Sequence, residues 1–159
     1  MSAIRFIEAH SPAERAQAFD VRRKVFVVGQ KIAERLEFDA GDAGATHLLA
    51  LLGEEPVGTL RLRVIEGGRT ARIERVAVLA SARGTRIGQS LVQVALDAAS
   101  RRGAGRAVLH AQVRARDFYA RLGFAATGAE FIEDGIMHIA MQRPLESSPA
   151  SSSSPGDQR

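Results

Sequence analysis

The chain has no cysteine, so disulfides, thiolate metal sites and a cysteine nucleophile are all excluded. It has no apolar run of membrane-spanning length, and its first residues, Met1-Ser-Ala-Ile-Arg-Phe, carry no apolar leader. The expectation is a soluble, cytoplasmic protein without a membrane partner. Histidine is scarce: His10, His47, His110 and His138 are far apart, and no His, Asp and Glu cluster has helical metal spacing, so no metal is expected. Lysine is nearly absent. Of 22 basic residues only Lys24 and Lys31 are lysines, and the formal net charge is +4. That balance invites an acidic-ligand or nucleic-acid reading. The arginines, however, are spread from Arg5 to Arg159 rather than gathered on one run among aromatics, and no nucleic-acid partner is expected.

What is present suffices for one domain with a real core, at 159 residues and 45% hydrophobic content. The domain is expected over residues 1–145. Residues 146–159 are rich in Ser and Pro and are expected to form a disordered tail.

The most informative stretch runs from Glu74 to Gln89, where a strand pattern (Ile73, Val76, Val78) passes through an Arg/Gly turn into a helix pattern (Ile87, Leu91, Ala95, Ala98). A helix N-terminus offers unpaired N–H groups and the positive end of the macrodipole, and glycine lets a phosphate approach the backbone. Arg83 and Arg86 add cations beside it, which suits a ligand with several phosphates, such as coenzyme A. An ordinary strand-to-helix turn with solvated arginines is the other reading.

Around this centre, Ile4, Phe6 and Ile7 suggest a first strand. Ser11-Pro12-Ala13-Glu14 supplies an N-cap, a proline at the first helical position and a capping-box glutamate. Ala16, Phe19 and Phe26 are expected to share that helix's buried stripe, which fades at Gly29. From Gln30 to Ala45 a loop or loose helix carries Glu34, Glu37, Asp39 and Asp42, either as an acidic wall for a cationic amine or as a solvated loop. Strands are expected at Thr46 to Leu52, Val57 to Ile65 and Thr70 to Leu79, with Leu60, Leu62 and Val64 alternating against Arg61 and Arg63. A helix from about Thr85 to Arg102 leads to a buried strand at Ala107 to Ala111, a parallel crossover. A short helix around Asp117 to Leu122 and strands near Phe124 to Thr127 and Met137 to Gln142 complete the pattern, with Asp117 expected to cap its helix.

Arg83-Gly84-Thr85-Arg86-Ile87-Gly88 resembles the Arg/Gln-x-x-Gly-x-Gly/Ala signature of the GNAT superfamily of acyl-CoA-dependent N-acyltransferases, with Arg86 where the middle glycine is usual. The segment Gln112-Val-Arg-Ala-Arg-Asp-Phe118-Tyr119-Ala-Arg-Leu-Gly123-Phe124 is similar to the superfamily's second pattern, with Gln112 for the common asparagine. Val21 to Val28, Phe38-Asp39 with Thr46-His47-Leu48-Leu49, and Phe131 to His138 resemble its ElaA/YjcF-like branch, where a Glu often stands at the place of Gly29 and a Pro at that of Met137.

The resemblance implies an α/β domain, its central sheet mixed but mostly antiparallel and flanked by helices. It implies direct transfer of an acetyl group from acetyl-CoA to a primary amine of a small molecule or protein, with homodimers common in the superfamily. Arg83, Gly84, Thr85, Arg86, Ile87 and Gly88 would hold the phosphates, and the backbone of Val76 and Val78 the pantetheine arm. Gln112, Arg116 and Phe118 would line the channel. Tyr119, the only tyrosine, would protonate the leaving thiolate, and Glu74 would take the amine's proton, with a salt bridge to a nearby arginine as its other reading. His110 and His138 are further proton acceptors by type, each weighed against a satisfied sheet histidine. A non-catalytic acyl-CoA-binding or regulatory module is the alternative.

Overall fold

Ser11 starts the first helix as the sequence dictates. Its hydroxyl accepts the Glu14 N–H at 3.1 Å while the Glu14 carboxylate accepts the Ser11 N–H at 3.1 Å, closing a capping box ahead of Pro12. The computed structural model describes residues 3–146, so the expected tail lies, apart from Glu146, outside the described residues. In chain order the elements are β1 (Ile4–Glu8), α1 (Pro12–Arg22) continuing as a π-helical segment (Arg23–Gly29), α2 (Glu34–Glu37), β2 (Thr46–Leu52), β3 (Glu55–Ile65), β4 (Thr70–Val78), α3 (Ile87–Arg101), β5 (Arg106–Gln112), α4 (Arg116–Ala120), β6 (Ala125–Ala126), β7 (Phe131–Glu133) and β8 (Ile136–Pro144). Strand order is β1-β2-β3-β4-β5-β8-β6, with β7 paired to β8. β4 and β5 are parallel, while β1–β2, β2–β3, β5–β8, β6–β8 and β7–β8 are antiparallel. This is the expected mixed, mostly antiparallel α/β sheet, with the strand before the turn in its middle. Among the described residues no helix is long and apolar enough to cross a membrane.

The described chain groups into two compact units, residues 3–63 with 73–94 and residues 64–72 with 95–146. In the first, Ala18 of α1 packs with Leu49 and Leu51 of β2 and Ile7 of β1. The buried stripe runs through Ala18, Val21, Arg22, Val25 and Phe26, whereas Ala16 is exposed and Phe19 half-buried. The expectation for Ala16 is therefore corrected: at about 100° per residue it lies across the helix from Ala18, and an arginine, Arg22, takes a core position that an apolar count overlooks. β3 departs likewise. Arg61 is 1% exposed between the buried Leu60 and Leu62, whereas Val64 is 38% exposed. Gly58 of β3 lets α3 lie close, because a Cβ there would sit 3.0 Å from Leu91 Cδ1 and 3.2 Å from Ile87 Cγ2.

In the second unit, β5 turns Ala107, Leu109 and Ala111 inward beside Ile139 and Met141 of β8. Ala95, Leu96, Ala98 and Ala99 on the last turns of α3 are buried too. β7, which no expected strand covers, forms a hairpin with β8 through Asp134 and Gly135, both at positive φ (52° and 77°), the backbone a two-residue type I′ turn requires. α4 has only five residues; its N-cap is Ala115 and Asp117 lies inside the first turn. The expected capping role of Asp117 is thus corrected, since the cap position falls two residues earlier.

Candidate functional site

In the first unit, β4 ends at Val78 and a 3-10 turn (Ala80–Ala82) leads to Arg83. The Arg83 Nε–H donates to the Val78 carbonyl at 3.1 Å, and the Thr85 hydroxyl donates to the Ala82 carbonyl. Gly84 has φ 83° with nothing within 4 Å of where a Cβ would stand. Arg86 has φ 65°, so a non-glycine residue occupies the left-handed conformation that glycine adopts without penalty. Helical bonding starts from its carbonyl, which accepts the Ser90 N–H at 3.0 Å. The N–H groups of Ile87, Gly88 and Gln89 thus precede the first helical bond of a 15-residue helix. Arg83, Gly84, Thr85 and Arg86 are exposed, Gly88 is half-buried, and Ile87 anchors the turn in the core. Val76 and Val78 are half-buried on either side of the buried Ala77.

Glu74 stands at the other end of this piece of β4. Its Oε1 accepts from Arg61 Nε at 2.9 Å and Arg63 Nε at 2.7 Å, and its Oε2 accepts from Arg63 Nη2 at 2.9 Å. Burial alone would raise the Glu74 carboxyl, but Arg63 and Arg61 outweigh it and hold it below the ordinary carboxylate range. The salt-bridge reading of Glu74 is therefore what the side chain displays. Arg61 also donates through Nη1 to Asp39 at 2.7 Å and Asp42 at 2.9 Å. Arg22, fully buried, donates to Glu37 at 2.8 Å and Asp42 at 2.7 Å, under the rings of Phe19 and Phe38. Arg75, at φ 57° within β4, reaches Glu37 at 3.3 Å and Asp39 at 3.0 Å.

The segment expected as an acidic wall or a solvated loop is therefore neither for Glu37, Asp39 and Asp42. Their charge is matched by buried or half-buried arginines; Glu34 and Asp39 are the exposed members of the four, and Glu34 pairs with Arg23. Sequence reasoning missed Arg22, Arg61 and Arg75 as organisers of this region. The available signal is an arginine inside an apolar run, in Phe-Asp-Val-Arg and Leu-Arg-Leu.

In the second unit, Tyr119 on α4 is 9% exposed, and its ring packs edge-on against Phe118 (4.9 Å) and Phe124 (5.9 Å). Burial pushes its phenol up, so it stays protonated through the neutral range. Arg116, the first residue of α4, is exposed, and Gln112 closes β5 opposite His138. His110 Nδ1 lies 2.9 Å from Glu133 Oε1, and buried His138 donates from Nδ1 to the Ile136 carbonyl at 2.7 Å. His47, in the first unit, is buried with Nε2 on the Asp42 carbonyl at 2.9 Å, and burial lowers its pKa. Among the described residues no three His, Cys, Asp or Glu side chains group as a metal site would need. The expected residues thus assemble in two sets, Glu74, Val76, Val78 and Arg83 to Gly88 in one unit, and Gln112, Arg116, Phe118 and Tyr119 in the other.

Comparison with known proteins adds to this geometry. A family model described as an acetyltransferase (GNAT) domain matches residues 10–145. The uncharacterized N-acetyltransferase YjcF of Bacillus subtilis is 34% identical over 127 residues, 79% of this chain and 89% of YjcF. Crystal structures of an acyl-CoA N-acyltransferase from Pseudomonas aeruginosa (31% identity, TM-score 0.77) and of Escherichia coli ElaA (26%, 0.77) each align with 90% of this chain and 99% of their own.

Proposed function

The chain belongs to the GNAT acetyltransferase family and is an acyl-CoA-dependent N-acyltransferase; from that premise we propose that it transfers acetyl from acetyl-CoA directly to a primary amine. The observation that carries the proposal is the turn before α3. It keeps an open, left-handed backbone at Gly84 and Arg86 in front of three N–H groups that precede the first helical bond, although an arginine replaces glycine. These atoms fit the phosphates of acetyl-CoA, with Arg83, Thr85, Ile87 and Gly88 completing the cradle.

Backbone groups of Val76 and Val78 take the pantetheine arm, and Gln112, Arg116 and Phe118 line its path. Bound acetyl-CoA supplies an electrophilic thioester carbonyl. Tyr119, buried and protonated, gives its proton to the departing thiolate. Glu74, the sequence-based candidate for proton acceptor, has its proton affinity lowered by Arg61 and Arg63. Its carboxylate therefore positions those two guanidiniums, and the amine's proton goes to another acceptor. A cytoplasmic enzyme of residues 1–145, acting on a small-molecule or protein amine and with no nucleic-acid partner, completes the proposal.

Calorimetric titration with acetyl-CoA, with desulfo-CoA and NAD as controls, tests the donor site. Saturable binding of acetyl-CoA without NAD binding is expected, and Gly88→Trp should weaken it. Tyr119→Phe should lower CoA release over a panel of primary amines by about 10²-fold with acetyl-CoA affinity unchanged. Equal turnover would remove Tyr119 from the mechanism.

A further inference from the structure

One face of the second unit's sheet carries ionisable groups that the donor assignments leave unused. Register decides which residues share it. His110 lies opposite Ala140, Gln112 opposite His138, Phe131 opposite His138 and Glu133 opposite Ile136. Residues opposite one another in an antiparallel pair, and residues two apart in a strand, face the same way. His110, Gln112, Phe131, Glu133 and His138 therefore share one face, and Leu109, Ala111, Ile139 and Met141 are buried on the other.

On that face His110 is exposed and its Nδ1 meets the Glu133 carboxylate. A carboxylate accepts, so Nδ1 carries the hydrogen and the lone pair sits on Nε2. Phe131 sets the ring's attitude, edge-on to His110 at 5.0 Å and 78° and stacked on His138 at 6.0 Å and 27°. Arg72 Nη2, 3.5 Å from the same Nδ1, has no lone pair to donate to there and acts as a neighbouring positive charge. The groups facing His110 from the packed strands are thus Arg72 on β4, Glu133 on β7 and His138 on β8.

We propose that His110, oriented by Glu133, takes the proton of the attacking amine. The inference rests on the acetyltransferase reading, because Gln112, assigned to the acyl-CoA channel, follows on the same strand and face about 7 Å away. As the amine nitrogen bonds to the acyl carbon, Nε2 of His110 accepts the N–H proton and the imidazolium is held against the Glu133 carboxylate. The carbon–sulfur bond then breaks with its electron pair on sulfur, and Tyr119 protonates the thiolate. Solvent takes the proton from His110 and returns one to Tyr119, so charge and atoms balance.

The test compares wild type, His110→Ala, His110→Gln and Glu133→Gln. Turnover is measured with saturating acetyl-CoA and spermidine, glucosamine and a lysine-containing peptide as probe amines, and acetyl-CoA titration of each variant verifies the donor site. His110→Ala should lower kcat by about 10²-fold and recover part of it with added imidazole. His110→Gln should lower kcat similarly, and Glu133→Gln by about tenfold, with acetyl-CoA affinity unchanged. Wild-type kcat in the His110 variants, or a loss that imidazole does not recover, overturns the assignment while leaving the transferase reading intact. Failure of the wild type to bind acetyl-CoA or to acetylate any probe overturns both.

Discussion

The two units handle charge in opposite ways. In the first, Arg22, Arg61, Arg63 and Arg75 meet Glu37, Asp39, Asp42 and Glu74 in a connected, charge-balanced lattice, with Arg22 and Arg61 almost wholly buried. In the second, the charge pairs are small and solvent-accessible, as those of His110 with Glu133 and of Arg106 with Glu66 are. The difference teaches that side-chain type does not set the role. A carboxylate locked between guanidiniums is a poor proton acceptor, however well its sequence position suits one, whereas an exposed imidazole with one oriented nitrogen keeps the other for chemistry.

Cutting the lattice should show the largest effect. Arg61→Met leaves Asp39, Asp42 and Glu74 short of a shared partner in a half-buried site, and a loss of about 3–5 kcal/mol is expected in urea unfolding. A change below about 1 kcal/mol would mean that the lattice relaxes around the gap.

Acid separates the units next. Burial raises the carboxyls of Asp39, Asp42 and Glu74, but their arginine partners win and hold all three below their ordinary values. Each therefore contributes stability that is fully present above its unfolded pKa, about 4, and is lost as pH falls through the lower folded value. Glu37 runs the other way, because burial pushes its carboxyl up and it takes its proton first. The melting temperature should hold from neutrality to about pH 4 and then fall, and Arg61→Met should flatten that fall. An unchanged acid limb in the variant would assign the acid sensitivity to other carboxylates.

Glu133→Gln should give the smallest stability change, within about 1 kcal/mol, because its pair with His110 is solvent-accessible. A larger loss would make Glu133 a folding residue and blur the contrast between the units.

Much of the fold was legible. Ser11 and Glu14 announce their helix, the strand expected at Thr46 to Leu52 is β2, and the alternation of β5 matches its buried and open faces. The turn before α3 and the Phe118-Tyr119 segment point to the family that the comparisons show. The acidic segment was misread because the charges that neutralise it lie elsewhere in the chain. Arg61 was misread because strand alternation assigns a guanidinium to solvent unless its partners are known. β7 escaped notice because three residues are too few to show a period.

The sequence by itself determined what neighbours can decide. Caps, turns, strand and helix periods and the order of the two signatures all depend on contacts within a few residues, and short-range sterics and backbone hydrogen bonding act over that span. Only the tertiary structure decided which charges meet. Arg22 finds Glu37 and Asp42 at separations of 15 and 20 residues, and Arg61 finds Glu74 and Asp39 at 13 and 22. The proton affinity of Glu74 and the orientation of His110 follow from those meetings, because both depend on distances that local sequence does not contain.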